Sequence, residues 1–148
     1  MNISDKAVEA YNAGFNCAQA VFSVFAEKEN LDPSVSLKIA SGFGGGMANM
    51  GETCGAVTGA LMAIGLKYGR SRASDSQSKK RTNTMIREFT KKFIEKNSTL
   101  LCRELLKLNL DDPTQYKEAY EKNMFRNLCP KFVHDSAEIL DGLLKENG

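Results

Sequence analysis

The sequence predicts an all-α domain of about seven or eight short helices, and three observations carry this prediction. No segment combines β-branched residues with the apolar–polar alternation of a half-buried strand. Apolar residues instead recur at three- and four-residue spacing throughout the chain. Helix caps such as Asp-Pro stand where that spacing begins. The chain has 148 residues and no linker or low-complexity segment, so we expect one domain over residues 1–148.

Caps and glycines predict the first three helices. The first covers residues 4–13, with a serine as its N-cap and a glycine directly after its end. The second starts near Asn16. The third begins at Asp32-Pro33, a cap followed by proline at the first helical position. It ends at the glycine-rich run 42–46, which is expected to form a loop or tight turn.

Five further helices are predicted in the last two thirds of the chain. The fourth is predicted over residues 51–68, and the fifth, the most polar, over residues 74–96. A short sixth helix starts near Ser98. Asp112-Pro113 caps the seventh helix. Cys129-Pro130 opens the last one.

Four cysteines are the residues that most strongly suggest a function. Each lies at, or within one turn of, the start of a predicted helix, where partial positive charge and unpaired N–H groups favour thiolate over thiol. No two of them are close in the sequence, and there is no Cys-x-x-Cys pair. The pattern predicts a redox-active or metal-binding site assembled from distant segments, formed by Cys17, Cys54, Cys102 and Cys129.

Glycines interrupt the fourth predicted helix, although each costs about 1 kcal/mol relative to alanine inside a helix. Gly55 and Gly59 form a ridge of small residues that continues to Ala63. Such a ridge suits close packing of a second helix, within one chain or between the two chains of a homodimer. Close packing is the preferred interpretation; the alternative is a site in which Gly55 and Gly59 leave room for a cofactor or substrate beside Cys54.

Composition limits the classes of partner. A net charge of +2 is too small to indicate nucleic-acid binding. The longest apolar stretch, residues 54–66, is 13 residues long, whereas a membrane span needs about 20. The N-terminus has no basic segment followed by an apolar run. We therefore expect no membrane insertion and a cytoplasmic location, where thiols are normally kept reduced.

The residues around the four cysteines resemble a known family. Cys54 opens the sequence Cys-Gly-Ala-x-x-Gly, Asn16-Cys17-Ala18-Gln19 and the glycine run 42–46 precede it, and Cys102-Arg103-Glu104 and Cys129 follow. This order is similar to that of the C_GCAxxG_C_C family, and the similarity covers essentially the whole chain. The resemblance implies redox activity based on the cysteines. Some members carry selenocysteine at one of these positions, which favours redox chemistry over structural zinc.

The leading hypothesis is a thiol–disulfide oxidoreductase that acts on an unidentified redox partner or oxidised substrate. We assign Cys54 as the nucleophile, since the neighbouring glycines leave it accessible and a helix start lies beside it. Cys17 is assigned as the resolving cysteine, and Cys102 and Cys129 as a second pair. Four cysteines allow three pairings, and the sequence does not choose among them.

Two other classes of function remain open. All four thiolates could hold zinc or an iron–sulfur cluster, with Cys17, Cys54, Cys102 and Cys129 as the metal ligands. Alternatively, the cysteines are inert core residues of a structural or partner-binding helical domain, because free cysteine packs as a small apolar residue.

Overall fold

The computed structural model describes residues 1–148 as eight α-helices around one core, without a β-strand. This confirms the all-α prediction. In chain order the helices are α1 (Ile3–Asn12), α2 (Cys17–Lys28), α3 (Pro33–Ala40), α4 (Gly55–Tyr68), α5 (Ser76–Asn97), α6 (Cys102–Leu106), α7 (Pro113–Glu121) and α8 (Met124–Asn147). No helix combines the length and the apolar character that crossing a bilayer requires.

Side-chain caps fix several helix starts. Asp32 and Asp112 cap α3 and α7, each with proline at the next position, as predicted. Asn16 caps α2 in a reciprocal pair with Gln19, in which each side chain bonds the other's backbone. The predicted cap of α1 is wrong, because Asn2 accepts the Asp5 N–H at 2.9 Å and the helix therefore starts at residue 3.

Three predicted helix starts are also wrong. Helix α4 begins at Gly55, because the backbone on either side of Thr53 is extended and pairs with a distant segment. Helix α6 begins at Cys102, since Ser98 ends α5 in a left-handed conformation with a φ of 74°. Helix α8 begins at Met124 and continues through Pro130, which lies inside it. Proline there removes one helical hydrogen bond, and contacts of α8 with five other helices stabilise it in compensation.

Helix α2 lies at the centre of the molecule and contacts α1, α3, α4 and α8. Helix α1 packs on α8, and α5 packs on both α4 and α8. The largest fully buried apolar side chains come from α2, α4, α5 and α8 and include Val21, Ile64, Phe89, Phe93 and Leu140. The start of α2 is therefore held from several sides, which fixes the position of Cys17.

Helix α2 packs against α4 at the glycine ridge. A Cβ atom at Gly59 would lie 2.7 Å from the carbonyl oxygen of Ala18 and 3.2 Å from its Cα. A Cβ at Gly55 would lie 2.5 Å from the Cys17 sulfur. The space over both glycines is thus filled by α2, which corrects the prediction that they hold a cofactor or expose Cys54. Close packing within one chain accounts for the ridge and sets the starts of α2 and α4 side by side.

A buried hydrogen bond joins α4 to α8. Ser136 is fully buried, and its hydroxyl donates to the carbonyl oxygen of Ala56 at 2.6 Å. We expect Ser136→Ala to lower the free energy of unfolding by about 1 kcal/mol, measured by urea denaturation. Ser41→Ala is the matched control, because the Ser41 hydroxyl is exposed and bonds only within its own turn. Equal losses in the two variants would contradict a role for this bond between the helices.

Candidate thiol site

The fold brings the four cysteines to one place. All four are free and buried, and all line a single cavity of about 1050 Å³ that opens to solvent. Cys17 is the first residue of α2, Cys54 is the N-cap of α4, and Cys102 is the first residue of α6. Cys129 lies in the second turn of α8, so its predicted place at a helix start is wrong.

Cys17 and Cys54 are adjacent, and each shifts the pKa of the other. The Cys17 sulfur lies over Gly55, the residue next to Cys54, where an added Cβ would meet it at 2.5 Å. Interaction with the Cys54 thiol is the main reason why the pKa of Cys17 is lowered to about 7, against the opposing effect of burial. The backbone N–H groups of Gly45, Cys17 and Ala18 act in the same direction as Cys54. Near neutral pH, Cys17 is therefore partly thiolate.

The same interaction has the opposite effect on Cys54. The pKa of Cys54 lies well above its usual range, first because of its interaction with Cys17 and then because the group is buried. Only 4% of Cys54 is exposed. The prediction of an accessible Cys54 is therefore wrong, and the thiolate of this pair belongs to Cys17.

The other two cysteines are protonated at neutral pH. Burial first, and then the nearby Cys17 and Cys129, raise the pKa of Cys102 to about 12. Burial likewise raises the pKa of Cys129 to about 12. The Tyr11 hydroxyl, whose own pKa burial raises, lies beside Cys129 and donates to the carbonyl oxygen of Phe125 at 3.0 Å. Cys17 is thus the one acidic thiol of the four.

The Gly45 N–H that acts on Cys17 belongs to a left-handed turn. The sequence predicted a loop over residues 42–46, and the structure confirms it. Five consecutive residues have φ values between 48° and 70°: Gly45, Gly46, Met47, Ala48 and Asn49. Residues with a side chain are strained in this region by about 1 kcal/mol or more each. The strain therefore lies directly beside the acidic thiol.

The turn is anchored by close packing. A Cβ at Gly46 would lie 2.5 Å from the backbone nitrogen of Glu52 and 2.8 Å from the Cβ of Cys102. The Glu52 N–H donates back to the Gly46 carbonyl at 2.9 Å. Only glycine fits such a position, where φ is 70° and the neighbouring backbone leaves no room.

An isolated β-bridge ties Cys54 to Cys102. The Cys54 N–H donates to the carbonyl oxygen of Leu100, and the Cys102 N–H donates to that of Glu52, both at 2.7 Å. Thr53 and Leu101 are the bridged residues. An exposed ion pair between Arg103 and Glu52, 3.1 Å apart, lies over the bridge. Cys102 thereby stays near the Cys17–Cys54 pair although α6 has only five residues.

The four sulfurs share the cavity without forming a metal site. No group of three or more His, Cys, Asp or Glu side chains is placed so that it could hold a metal ion. Among the four thiols, only Cys17 and Cys54 are each the leading cause of the other's pKa shift. The arrangement fits a dithiol pair with two flanking thiols better than four equivalent ligands of zinc or a cluster.

Several residues of the site were not found by sequence reasoning. Gly45 belongs to a glycine run that predicted a loop, but nothing in the run indicated a bond to a thiol. Tyr11 and Arg126 line the cavity from α1 and α8. No motif marks either residue, because their neighbourhood depends on how α1 packs against α8.

Comparison with known proteins gives one match. The family model described as "Putative redox-active protein (C_GCAxxG_C_C)" matches residues 15–143. No curated protein and no solved structure matches the chain.

Proposed function

Because the chain belongs to the C_GCAxxG_C_C family, which is described as redox-active, we propose that its redox reaction is thiol–disulfide exchange at Cys17 and Cys54. The observation that carries the proposal is that these two buried thiols are adjacent in one cavity, because the Cys17 sulfur lies over Gly55 and Cys54 is the N-cap of the same helix. An acidic cysteine with a second thiol in contact is the arrangement that exchange requires.

The two roles are the reverse of those predicted from the sequence. Cys17 is the nucleophile, because it is the thiolate at neutral pH and its pKa of about 7 is near the optimum for an attacking thiol. Cys54 is the resolving thiol, because it keeps its proton until Cys17 has become part of a disulfide.

The reaction is a two-electron oxidation of the pair. The Cys17 thiolate attacks one sulfur of a substrate disulfide, forms a mixed disulfide and releases the other substrate sulfur as a thiolate, which takes up a proton. Cys54 then loses its proton to solvent and attacks the Cys17 sulfur. The second substrate thiol leaves, and a Cys17–Cys54 disulfide remains. The substrate is reduced to two thiols.

Cys102 and Cys129 flank this pair without a hydrogen bond to it. Their high pKa values make them poor nucleophiles at neutral pH. We place the reaction in the cytoplasm, where a reducing environment returns such a pair to the dithiol form.

The proposal predicts which disulfide forms under mild oxidation. Diamide oxidises two thiols to a disulfide and is itself reduced to the hydrazine. In the native protein we expect diamide to join Cys17 to Cys54 and to leave Cys102 and Cys129 free, as mapped by peptide mass spectrometry. The double variant Cys102→Ser/Cys129→Ser should form the same disulfide, and Cys17→Ser should not. A disulfide between Cys102 and Cys129 as the first product would contradict the proposal.

A further inference from the structure

The cavity above Cys17 determines what can reach the thiolate. Cys17 is only 8% exposed, and its surface belongs to the wall of the cavity of about 1050 Å³. This volume is at the upper end of the range for small-molecule sites. A disulfide that belongs to the surface of a folded protein would have to enter this recess to reach the buried Cys17 sulfur. A low-molecular-mass disulfide fits it whole.

Aromatic side chains are enriched in the wall of the cavity. The cavity is lined by three of the four tyrosines and three of the eight phenylalanines of the chain, although its 22 lining residues are a small part of the 148. Tyr116 of α7 and Phe125 of α8 contact each other with ring centroids 5.7 Å apart. Tyr120, also of α7, is 70% exposed. A large exposed aromatic at the rim of an apolar cavity favours a ligand with a flat, apolar body.

Apart from the Cys17 thiolate, the charge of the cavity comes from one side chain. Arg126 is the only charged residue among its lining residues, and no Asp or Glu is present. Arg126 is exposed and forms no ion pair or side-chain hydrogen bond with the rest of the chain. An unpaired guanidinium at an aromatic cavity is suited to bind a carboxylate, which it recognises with two parallel N–H donors.

We propose that the oxidising substrate of the Cys17–Cys54 pair is a low-molecular-mass organic disulfide with an aromatic body and a carboxylate. The carboxylate binds Arg126, the aromatic part lies against Tyr116 and Tyr120, and one sulfur reaches Cys17. This inference rests on the proposed exchange reaction and names the class of its substrate. The electron balance is unchanged: the disulfide gains two electrons and leaves as two thiols, and the pair becomes a disulfide.

The test compares two aromatic disulfides that differ in charge. Dithiobis(nitrobenzoate) has a carboxylate on each ring, and dithiodipyridine has none. The rate of mixed-disulfide formation at Cys17 is measured for each by absorbance and mapped by mass spectrometry. Each rate is divided by the rate of the same reagent with the urea-unfolded chain. We expect this ratio to be larger for the carboxylate reagent, and Arg126→Gln to lower it roughly tenfold for that reagent alone.

Two variants act as controls. Arg87→Gln removes an exposed cation of α5 outside the cavity and should leave both ratios unchanged. Tyr120→Ala removes the exposed ring and should slow both aromatic reagents, but not dithiodipropionate, an aliphatic disulfide with carboxylates.

The outcomes separate the two proposals. If Cys17 reacts with both reagents and Arg126→Gln slows them equally or not at all, the substrate class is wrong and the exchange reaction stands. If no native cysteine reacts with any of these disulfides while the unfolded chain does, the proposed function itself is wrong.

Discussion

Gly59→Ala is expected to lower the free energy of unfolding by about 2 kcal/mol, the range in which overpacking of a close-packed contact falls. The added Cβ would meet backbone atoms of Ala18 and not a movable side chain. Helices α2 and α4 would therefore have to separate. Urea denaturation followed by circular dichroism measures the change.

Gly65→Ala is the matched control in the same helix. A Cβ at Gly65 meets no atom within 4 Å, so alanine there gains only helix propensity. It should raise the free energy of unfolding by about 1 kcal/mol. Opposite signs for two identical substitutions would show that the ridge is specific to the α2 contact. A loss of stability in both, or in neither, would contradict the close approach at Gly59.

Cys54→Ala is expected to make Cys17 markedly less reactive at neutral pH. In the native protein, the rate of Cys17 alkylation by iodoacetamide should rise with pH and level off above a midpoint near 7, because the thiolate forms as the pH passes the pKa of about 7. Removing the Cys54 thiol removes the largest contribution that lowers this pKa. The midpoint should then move upward, towards the ordinary thiol value of about 8.5.

At neutral pH this shift should slow alkylation of Cys17 roughly tenfold, since fewer molecules carry the thiolate. Cys102→Ala is the control, because the Cys102 sulfur is nearby but is not among the main groups that lower the pKa of Cys17. Its midpoint should stay near that of the native protein. A midpoint that is the same in all three proteins would mean that backbone N–H groups alone make Cys17 acidic.

Local signals predicted much of the fold. The Asp-Pro pairs at residues 32 and 112 fix helix starts through contacts with the next two residues, and such contacts are visible in the sequence. Pro130 shows where this reasoning fails. Proline at the first helical position is common, so Cys129-Pro130 was interpreted as a helix start, whereas packing of α8 on its neighbours holds the proline inside a helix.

The site was predicted only in part, because its details depend on tertiary packing that the sequence does not show. Cysteines at helix starts indicated that distant segments meet, and the cavity contains all four. The roles of Cys17 and Cys54 could not be assigned, because acidity depends on which sulfur the surrounding N–H groups face. That in turn depends on Gly59, which sets the depth at which α2 lies on α4, and on a left-handed turn that continues beyond the glycines to Asn49.

The packing of α1 and α2 against α8 also bears on how the protein is made. Synthesis runs from the N-terminus, so the first helices leave the ribosome long before the helix that covers them. The parts that make Cys17 acidic, which are α2, the turn with Gly45 and the start of α4, all lie ahead of residue 56. Phe125 and Arg126 come with α8. The acidic thiol still needs the later segments, because Leu100 and Cys102 hold the backbone around Cys54 and α8 packs on α2. The thiolate and the cavity wall that limits access to it are therefore completed together, late in synthesis.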